Sequence, residues 1–111
     1  MDFSSKTEND VRIVEVTGRL ETSCADEFRE KFMEETGDDT KVILDCSGLQ
    51  YLDSSGLATL VSVFKALSVR KTRLVLCGLS EGLYRVIQFT KLDKVLPVTD
   101  TREGAFEQLR S

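Results

Sequence analysis

Residues 41–57 read KVILDCSGLQYLDSSGL, and this stretch decides the fold. Its first part, residues 41–45, is a short and largely apolar run that is typical of a buried central strand. A short loop at 46–51 is expected to follow this strand. Beyond the loop, apolar residues recur at the spacing of one helical face: Leu57, Leu60, Val61, Phe64 and Leu67. The stretch therefore predicts a buried strand, a loop and the start of an amphipathic helix that runs from about Ser54 to Val69.

The segment that precedes this stretch predicts two strands. Residues 11–16 are rich in β-branched side chains, with alternate valines on one face, and Gly18 is expected to end the strand. Residues 2–7 are polar, but they can pair with it as an edge strand across a turn at 8–10. The N-terminal part of the chain is thus expected to form a hairpin.

A helix is predicted between this hairpin and the central strand. Apolar residues at helical spacing run from Ser23 to Thr36, Thr22 or Ser23 is expected to cap the helix, and Gly37 is expected to end it. The acidic residues at 34–39 lack the ligand spacing of a calcium loop, which favours a solvated helix end.

The C-terminal part alternates between strands and helices. Residues 73–78 predict a second buried strand, and Ser80 opens a helix in which its hydroxyl can accept a bond from a free N–H. A brief strand is expected at 95–98, where the only proline of the chain favours a sheet edge. Thr101 is then expected to cap the last helix.

Strands that are separated by helices of this length predict an α/β fold. We expect a mainly parallel, mixed β-sheet of four to five strands, covered by about four α-helices. A chain of 111 residues fits one domain over residues 1–111, with a core at about 11–109, and a core of that size needs no disulfide or metal.

Composition and charge argue against several classes of function. The chain has no histidine, which removes His-dependent triads and HExxH zinc sites. Its net charge of −4 is the wrong sign for a nucleic-acid-binding protein without a basic cluster. The three cysteines form no CxxC pair, and no apolar run approaches the length of a membrane span. We expect reduced thiols, no cofactor, no metal, no membrane span and a cytoplasmic location.

The most informative site lies at the start of the predicted helix, in the sequence LDSSGL at 52–57. Ser54 and Ser55 place two hydroxyls beside N–H groups that lack intrahelical partners. A phosphoryl group there would add about −1.5 to −2 charges, which the helix N-terminus can tolerate. The simpler interpretation, which these residues alone favour, is that Asp53 or Ser54 only caps the helix.

Several ordered motifs resemble the STAS domain of bacterial anti-sigma factor antagonists. The strand 42–45 followed by LDSSGL at 52–57 is similar to the core motif of that family. Upstream, VEVTGRLE at 14–21 resembles its strand followed by Gly-x-Leu-Asp. Downstream, RLVLCGLS at 73–80 and VIQFTKL at 86–92 resemble its next strand and helix. The resemblance extends over nearly the whole chain, from about residue 11 to 109.

This resemblance implies a phosphorylation switch. In the family, the unphosphorylated antagonist binds an anti-sigma factor that is also a serine kinase, and this binding releases the sigma factor. By position in the motif, Ser55 is the phosphate acceptor, Ser54 and Asp53 are its neighbours, and Gly56 leaves space for the kinase. A serine phosphatase resets the switch. The chain would then be a kinase substrate with no catalytic activity of its own.

The chain departs from the family pattern at Glu21, where the family often has aspartate. The longer side chain retains the charge but reaches a different position and loses more rotamer freedom when it is fixed. Glu21 and Thr22 are therefore candidate partner contacts beside Ser55. A solvated residue ahead of a helix is an equally good interpretation of Glu21.

The sequence allows two other hypotheses, each for a different class of protein. The first is a STAS module without a switch, held in a larger regulatory or lipid-transport assembly. The second is an aspartyl-phosphate receiver at Asp45, which the lack of an adjacent acidic pair and of a late-strand lysine disfavours. Asp45 is instead expected to bond the backbone at Ser47 and Gly48. The sequence leaves the oligomeric state open.

The cysteines also raise the possibility of a thiol-based redox enzyme, which we disfavour. Cys77 ends a predicted buried strand, where a thiol packs as a small apolar group. Cys46 lies nearer the hydroxyl motif and is expected to be partly exposed.

Overall fold

A computed structural model describes residues 1–110. In chain order it contains β1 (Asp2–Glu8), β2 (Val11–Leu20), α1 (Ala25–Thr36), β3 (Lys41–Leu52), α2 (Ser54–Val69), β4 (Arg73–Cys77), α3 (Glu81–Phe89), a 3-10 turn (Leu92–Lys94), β5 (Val98–Thr99) and α4 (Arg102–Arg110). The predicted α/β fold is confirmed, and α2 has the bounds that the apolar periodicity predicted.

The five strands form one mixed sheet in the order β1-β2-β3-β4-β5. The first strand pairs with β2 in the antiparallel direction, and the remaining pairs are parallel. Asn9 and Asp10 form the turn of the expected N-terminal hairpin, both with positive φ. Because β3 lies at the centre of the sheet, its carboxyl end delivers the chain directly to the start of α2.

The two faces of the sheet carry separate cores. Alternate residues such as Val14 and Leu44 belong to the larger core, which includes buried residues of α1, α2 and α3. Their neighbours Ile13 and Ile43 face the smaller core, which includes Ala105 of α4. The strand β3 is therefore buried on both faces, which explains why its sequence is continuously apolar rather than alternating.

Both central strands are longer than predicted. Gly18 does not end β2. It adopts a positive φ of 87° next to a shift in the strand register, and the strand continues beyond it to Leu20. Residues 46–51, predicted as a loop, belong to β3 and pair with this extension of β2. Residues 46–51 have no regular alternation of polar and apolar side chains. Their strand conformation comes from hydrogen bonding to residues about thirty positions away.

Outside α2, three predicted helix ends are confirmed and one is wrong. Gly37 ends α1, the hydroxyl of Ser80 accepts a bond from the N–H of Leu83, and the hydroxyl of Thr101 accepts one from Gly104. The start of α1 differs, because its N-cap is Cys24 and the side chain of Cys24 makes no capping bond.

The last strand is also displaced from its predicted position. It covers Val98–Thr99 at the sheet edge rather than residues 95–98. The N–H groups of Val95 and Leu96 both donate to the carbonyl of Leu92, which makes that segment a turn. Pro97 still contributes its carbonyl oxygen, which accepts a bond from the N–H of Leu76 at 2.9 Å.

Asp45 fastens α4 to the sheet. One carboxylate oxygen accepts the N–H of Ser47 at 2.9 Å, as expected from the sequence, and the other accepts Nη2 of Arg102 at 2.6 Å. The same guanidinium reaches Glu15 at 3.1 Å. Burial by itself would raise the pKa of Asp45, but the Ser47 N–H and Arg102 outweigh it and hold that pKa below its ordinary value.

The thiols support packing rather than redox chemistry. Cys77 is buried as predicted, and burial raises its pKa to about 12. The expectation of partial exposure for Cys46 is wrong, because this residue is fully buried and burial raises the pKa of its thiol as well. Cys46 lies in the extended part of β3 and belongs to the larger core. Both buried groups are therefore protonated and unreactive at neutral pH.

Candidate functional site

The site is built on the junction between β3 and α2, where Asp53 is the N-cap of the helix. Its backbone is extended, with φ −99° and ψ −174°, and its Oδ1 accepts the N–H of Gly56 at 2.8 Å. This bond satisfies one of the free N–H groups that every helix start presents. The capping role that the sequence suggested for Asp53 is confirmed.

The second carboxylate oxygen of Asp53 holds the loop between β2 and α1. Oδ2 accepts the backbone N–H of Thr22 at 2.9 Å, and the Thr22 hydroxyl lies 3.0 Å from the same oxygen. These bonds from Gly56 and Thr22 favour the charged form and lower the pKa of Asp53. Asp53 is therefore an ionised carboxylate at neutral pH that joins two segments distant in sequence.

Ser55 enters the same network through Thr22. The two hydroxyl oxygens lie 2.9 Å apart. Because a hydroxyl carries one proton and an ionised carboxylate can only accept, the consistent arrangement is that Thr22 donates to Asp53 and accepts from Ser55. The chain Ser55–Thr22–Asp53 thus orients the Ser55 hydroxyl. Ser55 is partly exposed, while its neighbour Ser54 is exposed.

Gly56 allows two backbone segments to approach each other closely. A Cβ atom at this position would lie 2.2 Å from the carbonyl oxygen of Leu20, and the residue is buried. The absence of a side chain lets the end of β2 approach the first turn of α2. This approach allows Thr22 to come within hydrogen-bonding distance of Ser55. The space that Gly56 was expected to leave for a kinase stays a prediction.

Glu21 lies in the same loop but takes no part in this network. Its carboxylate accepts Nε of Arg19 at 2.8 Å, and the Arg19 guanidinium lies 4.0 Å above the ring centre of Tyr51. Of the two predicted partner contacts, Thr22 touches Ser55 and Glu21 braces a neighbouring surface. Both side chains are at least partly exposed.

Sequence reasoning did not identify Arg19 and Tyr51 as part of this surface. Opposite each other in the extended register of β2 and β3, they stack where the two strands were expected to have ended. Tyrosine and arginine are the residue types that most often dominate binding energy at protein interfaces. Only the pairing of the two strands reveals their contact.

The described part of the chain gives no indication of a metal site or a membrane span. Within residues 1–110, no group of His, Cys, Asp or Glu residues is arranged to hold a metal ion. No helix over the same residues is both long and apolar enough to cross a membrane.

Comparison with known proteins identifies the family. The family model described as STAS domain matches residues 2–105. The chain belongs to the STAS-domain family. This membership confirms the resemblance seen in the sequence motifs, and the junction of β3 and α2 described above is the part of the domain that carries the LDSSGL motif.

The STAS chain is similar to several bacterial regulators. It is 31% identical to the anti-sigma-B factor antagonist of Bacillus subtilis over 104 residues, which is 92% of this chain and 93% of the relative. The Listeria monocytogenes protein of the same description is 38% identical over 55 residues, which is 50% of this chain. That match spans about half the length of the Listeria relative, 48%.

Solved structures agree with the fold of the STAS chain. A proposed anti-sigma factor antagonist from Thermotoga maritima matches with a TM-score of 0.90 and 28% identity, over 98% of this chain and 95% of that one. The Bacillus cell fate determinant SpoIIAA in its phosphorylated form matches with a TM-score of 0.69 and 22% identity, over 97% and 99% of the two chains. The second likeness concerns the fold alone.

Proposed function

We propose that this chain is an anti-sigma factor antagonist. In its unphosphorylated form it binds an anti-sigma factor that has serine kinase activity, and this binding frees the sigma factor. Phosphorylation of Ser55 ends the binding, and a serine phosphatase restores it. The chain itself catalyses no reaction and acts in the cytoplasm.

The observation that carries this proposal is the position of the Ser55 hydroxyl. It is partly exposed at the N-terminus of α2, and it is held 2.9 Å from the hydroxyl of Thr22. An acceptor for a kinase needs an accessible hydroxyl at a defined place, and the hydrogen-bonded junction of β3 and α2 provides it. The names of the similar proteins, which are anti-sigma factor antagonists, support the same function.

Electrostatics explain why phosphorylation would act on the partner and leave the fold intact. A phosphoserine carries about −1.5 to −2 charges at neutral pH. The positive end of the helix dipole stabilises a negative group there by roughly 0.3–1 kcal/mol. The ionised carboxylate of Asp53 lies one hydroxyl away from Ser55. The new charge therefore adds to an existing negative site, and a docked partner has to accommodate both charges together with the added volume.

The partner surface is proposed to include Glu21 and Thr22 beside the acceptor. Thr22 is exposed and borders Ser55, while Glu21 holds Arg19 against Tyr51. Arg19 and Tyr51 are thus held in one orientation before binding, which lowers the entropic cost of ordering their side chains at an interface. Normal partner affinity in a Glu21→Ala, Thr22→Ala double variant would remove both residues from the proposed surface.

Phosphosite mass spectrometry tests the switch on protein isolated from its native cell during growth and stress. We expect one phosphate on Ser55, with an occupancy that changes with condition and is absent in Ser55→Ala. Ser54→Ala is the matched control, because it removes the adjacent, more exposed hydroxyl and should leave the modification unchanged. Pull-down with Ser55→Ala and Ser55→Asp should recover an anti-sigma factor kinase with the first variant only.

Absence of phosphate under every condition, with confirmed coverage of the peptide, would refute the switch. That result would favour a STAS module without a switch, held in a larger regulatory or lipid-transport assembly. Equal recovery of the kinase by Ser55→Ala and Ser55→Asp would contradict the proposal that a negative charge at position 55 releases the partner.

A further inference from the structure

The loop that carries Thr22 is attached to the acceptor site in two separable ways. Its backbone N–H donates to Asp53 Oδ2 at 2.9 Å, and this bond does not depend on the side chain. Its hydroxyl bridges the same carboxylate oxygen and Ser55 Oγ, at 3.0 and 2.9 Å. A change confined to the hydroxyl therefore leaves the main-chain attachment of the loop in place.

The hydroxyl bridge restricts the Ser55 side chain. A serine side chain has three staggered rotamers, and a hydrogen bond of good length selects the one that brings Oγ to its partner. The distance of 2.9 Å between the two oxygens is that of an ordinary hydrogen bond between hydroxyl groups. Because the Thr22 hydroxyl donates its hydrogen bond to Asp53, the remaining acceptor capacity of Thr22 Oγ1 faces the proton of Ser55.

We propose that Thr22 is the positioning residue of the phosphorylation site, and that its hydroxyl holds Ser55 Oγ in the orientation that accepts the phosphoryl group. This inference rests on the proposed function. It assigns Thr22 a role in the hydrogen-bond network of the phosphate acceptor, in addition to its place on the partner surface. Thr22 acts through Ser55 and does not touch the reacting phosphorus.

The chemistry of the transfer sets what positioning can contribute. A lone pair of Ser55 Oγ forms the new bond to the γ-phosphorus of ATP, the bond between that phosphorus and the bridging oxygen breaks, and ADP leaves. The proton of Ser55 passes to a base of the kinase, so Thr22 neither gains nor loses a proton overall. The bond to Thr22 places Oγ before the transfer, and the Ser55 proton leaves that bond for the kinase base as the bond to phosphorus forms. Placement of a reacting atom of this kind affects the rate of the chemical step.

Three variants distinguish positioning from partner contact. Thr22→Val keeps the shape and the main-chain bond but removes the hydroxyl, while Thr22→Ser restores the hydroxyl and removes a methyl group. Ser23→Ala is the matched control, because Ser23 is an exposed hydroxyl in the same loop. Far-ultraviolet circular dichroism and a thermal melt establish that each variant is folded.

The assay measures the initial rate of phosphate incorporation into Ser55 against substrate concentration. The kinase source is clarified lysate of the native cell with magnesium and γ-labelled ATP, and Ser55→Ala sets the background. We expect Thr22→Val to lower the apparent maximal rate about tenfold, the upper range for loss of one hydrogen bond. Thr22→Ser and Ser23→Ala should keep at least half of the wild-type maximal rate.

Several outcomes would overturn the inference without touching the proposed function. One is labelling of Thr22→Val at the wild-type maximal rate, and another is a raised KM with an unchanged maximal rate, which indicates that Thr22 acts as a partner contact alone. Equal loss in Thr22→Ser would indicate that the methyl group matters rather than the hydroxyl. Wild-type protein that incorporates no label above the Ser55→Ala background would instead refute the proposed function.

The orientation of Ser55 can also be measured without a kinase. Three-bond proton couplings in nuclear magnetic resonance spectra report the population of its χ1 rotamers. One rotamer should dominate in the wild type and in Thr22→Ser, and the couplings of Thr22→Val should average. Averaged couplings in the wild-type protein would overturn the positioning role directly.

Discussion

Replacement of Gly56 by alanine tests whether the contact between β2 and α2 builds the site. The added Cβ atom would lie 2.2 Å from the carbonyl oxygen of Leu20 and 3.1 Å from the carbonyl carbon of the same residue. Real Cβ atoms essentially never approach another atom within 3.0 Å, so the backbone at the end of β2 or at the start of α2 has to move. Ordinary van der Waals contact begins at 3.4 Å, so the displacement needed is at least about 1.2 Å.

The expected cost follows from the atoms that are too close. The obstructing oxygen belongs to the main chain and cannot rotate away as a side chain would, so we expect a strain of about 2–3 kcal/mol, the upper part of the range for overpacked cores. Alanine favours a helix over glycine by about 1 kcal/mol, which offsets part of this strain. We expect Gly56→Ala to lower the free energy of unfolding by about 1–2 kcal/mol, or the melting temperature by about 4–8 °C.

Gly82→Ala is the matched control for Gly56→Ala. Gly82 lies in the first turn of α3, as Gly56 lies in that of α2, and a Cβ atom there would meet no other atom within 4 Å. Without steric cost, the helix preference of alanine should raise the stability by about 0.5–1 kcal/mol. The two identical substitutions should therefore shift the stability in opposite directions.

Urea unfolding followed by circular dichroism measures both changes, and nuclear magnetic resonance spectra show where the structure moves. In Gly56→Ala, we expect amide shifts to change at Thr22 and Ser55, because separation of the two segments lengthens the bonds to Asp53. Equal or greater stability of Gly56→Ala relative to wild type would refute the reasoning. Unchanged amide shifts at Thr22 would refute it as well.

Two further predictions concern the ion pair of Asp45 with Arg102 and the thiols. Because the pKa of Asp45 is lowered in the folded state, its contribution to stability is complete above the unfolded value near 4 and is lost as the pH falls through the folded value. Asp45→Asn should lower the free energy of unfolding by about 1–2 kcal/mol at pH 7. The loss is smaller than for disruption of a fully buried ion pair, because Arg102 is partly exposed. Urea unfolding should show this difference shrinking below about pH 4, and a constant difference would contradict the prediction. Titration with a thiol reagent should modify Cys24 in the folded protein and the buried Cys46 and Cys77 only on unfolding, whereas rapid reaction of all three would contradict their burial.

The sequence predicted best the elements whose signals are local. The bounds of α2 follow from apolar residues at helical spacing, and its N-cap follows from an aspartate ahead of two serines. The hairpin of β1 and β2, the burial of β4 and the caps at Ser80 and Thr101 were also predicted correctly. In each case, the residues that determine the conformation lie within a few positions of one another.

The wrong predictions share a different origin. Gly18 was expected to end β2 and residues 46–51 were expected to form a loop, yet the two segments pair with each other as the extensions of adjacent strands. The predicted cap of α1 failed for a related reason, because Thr22 bonds Asp53 and Ser55 rather than the helix that follows it. Partners far away in sequence determine these conformations, and local patterns do not record them.

By itself, the amino-acid sequence determined that the chain forms an α/β domain and that Asp53, Ser54 and Ser55 lie at the start of a helix after the central strand. Periodicity and capping preferences act over a few residues and are visible in one dimension. The tertiary structure alone decided that Thr22 bridges Asp53 and Ser55, and that Gly56 is needed for the approach of Leu20. These contacts join segments more than thirty residues apart, and they form only when strand pairing brings the end of β2 against the first turn of α2.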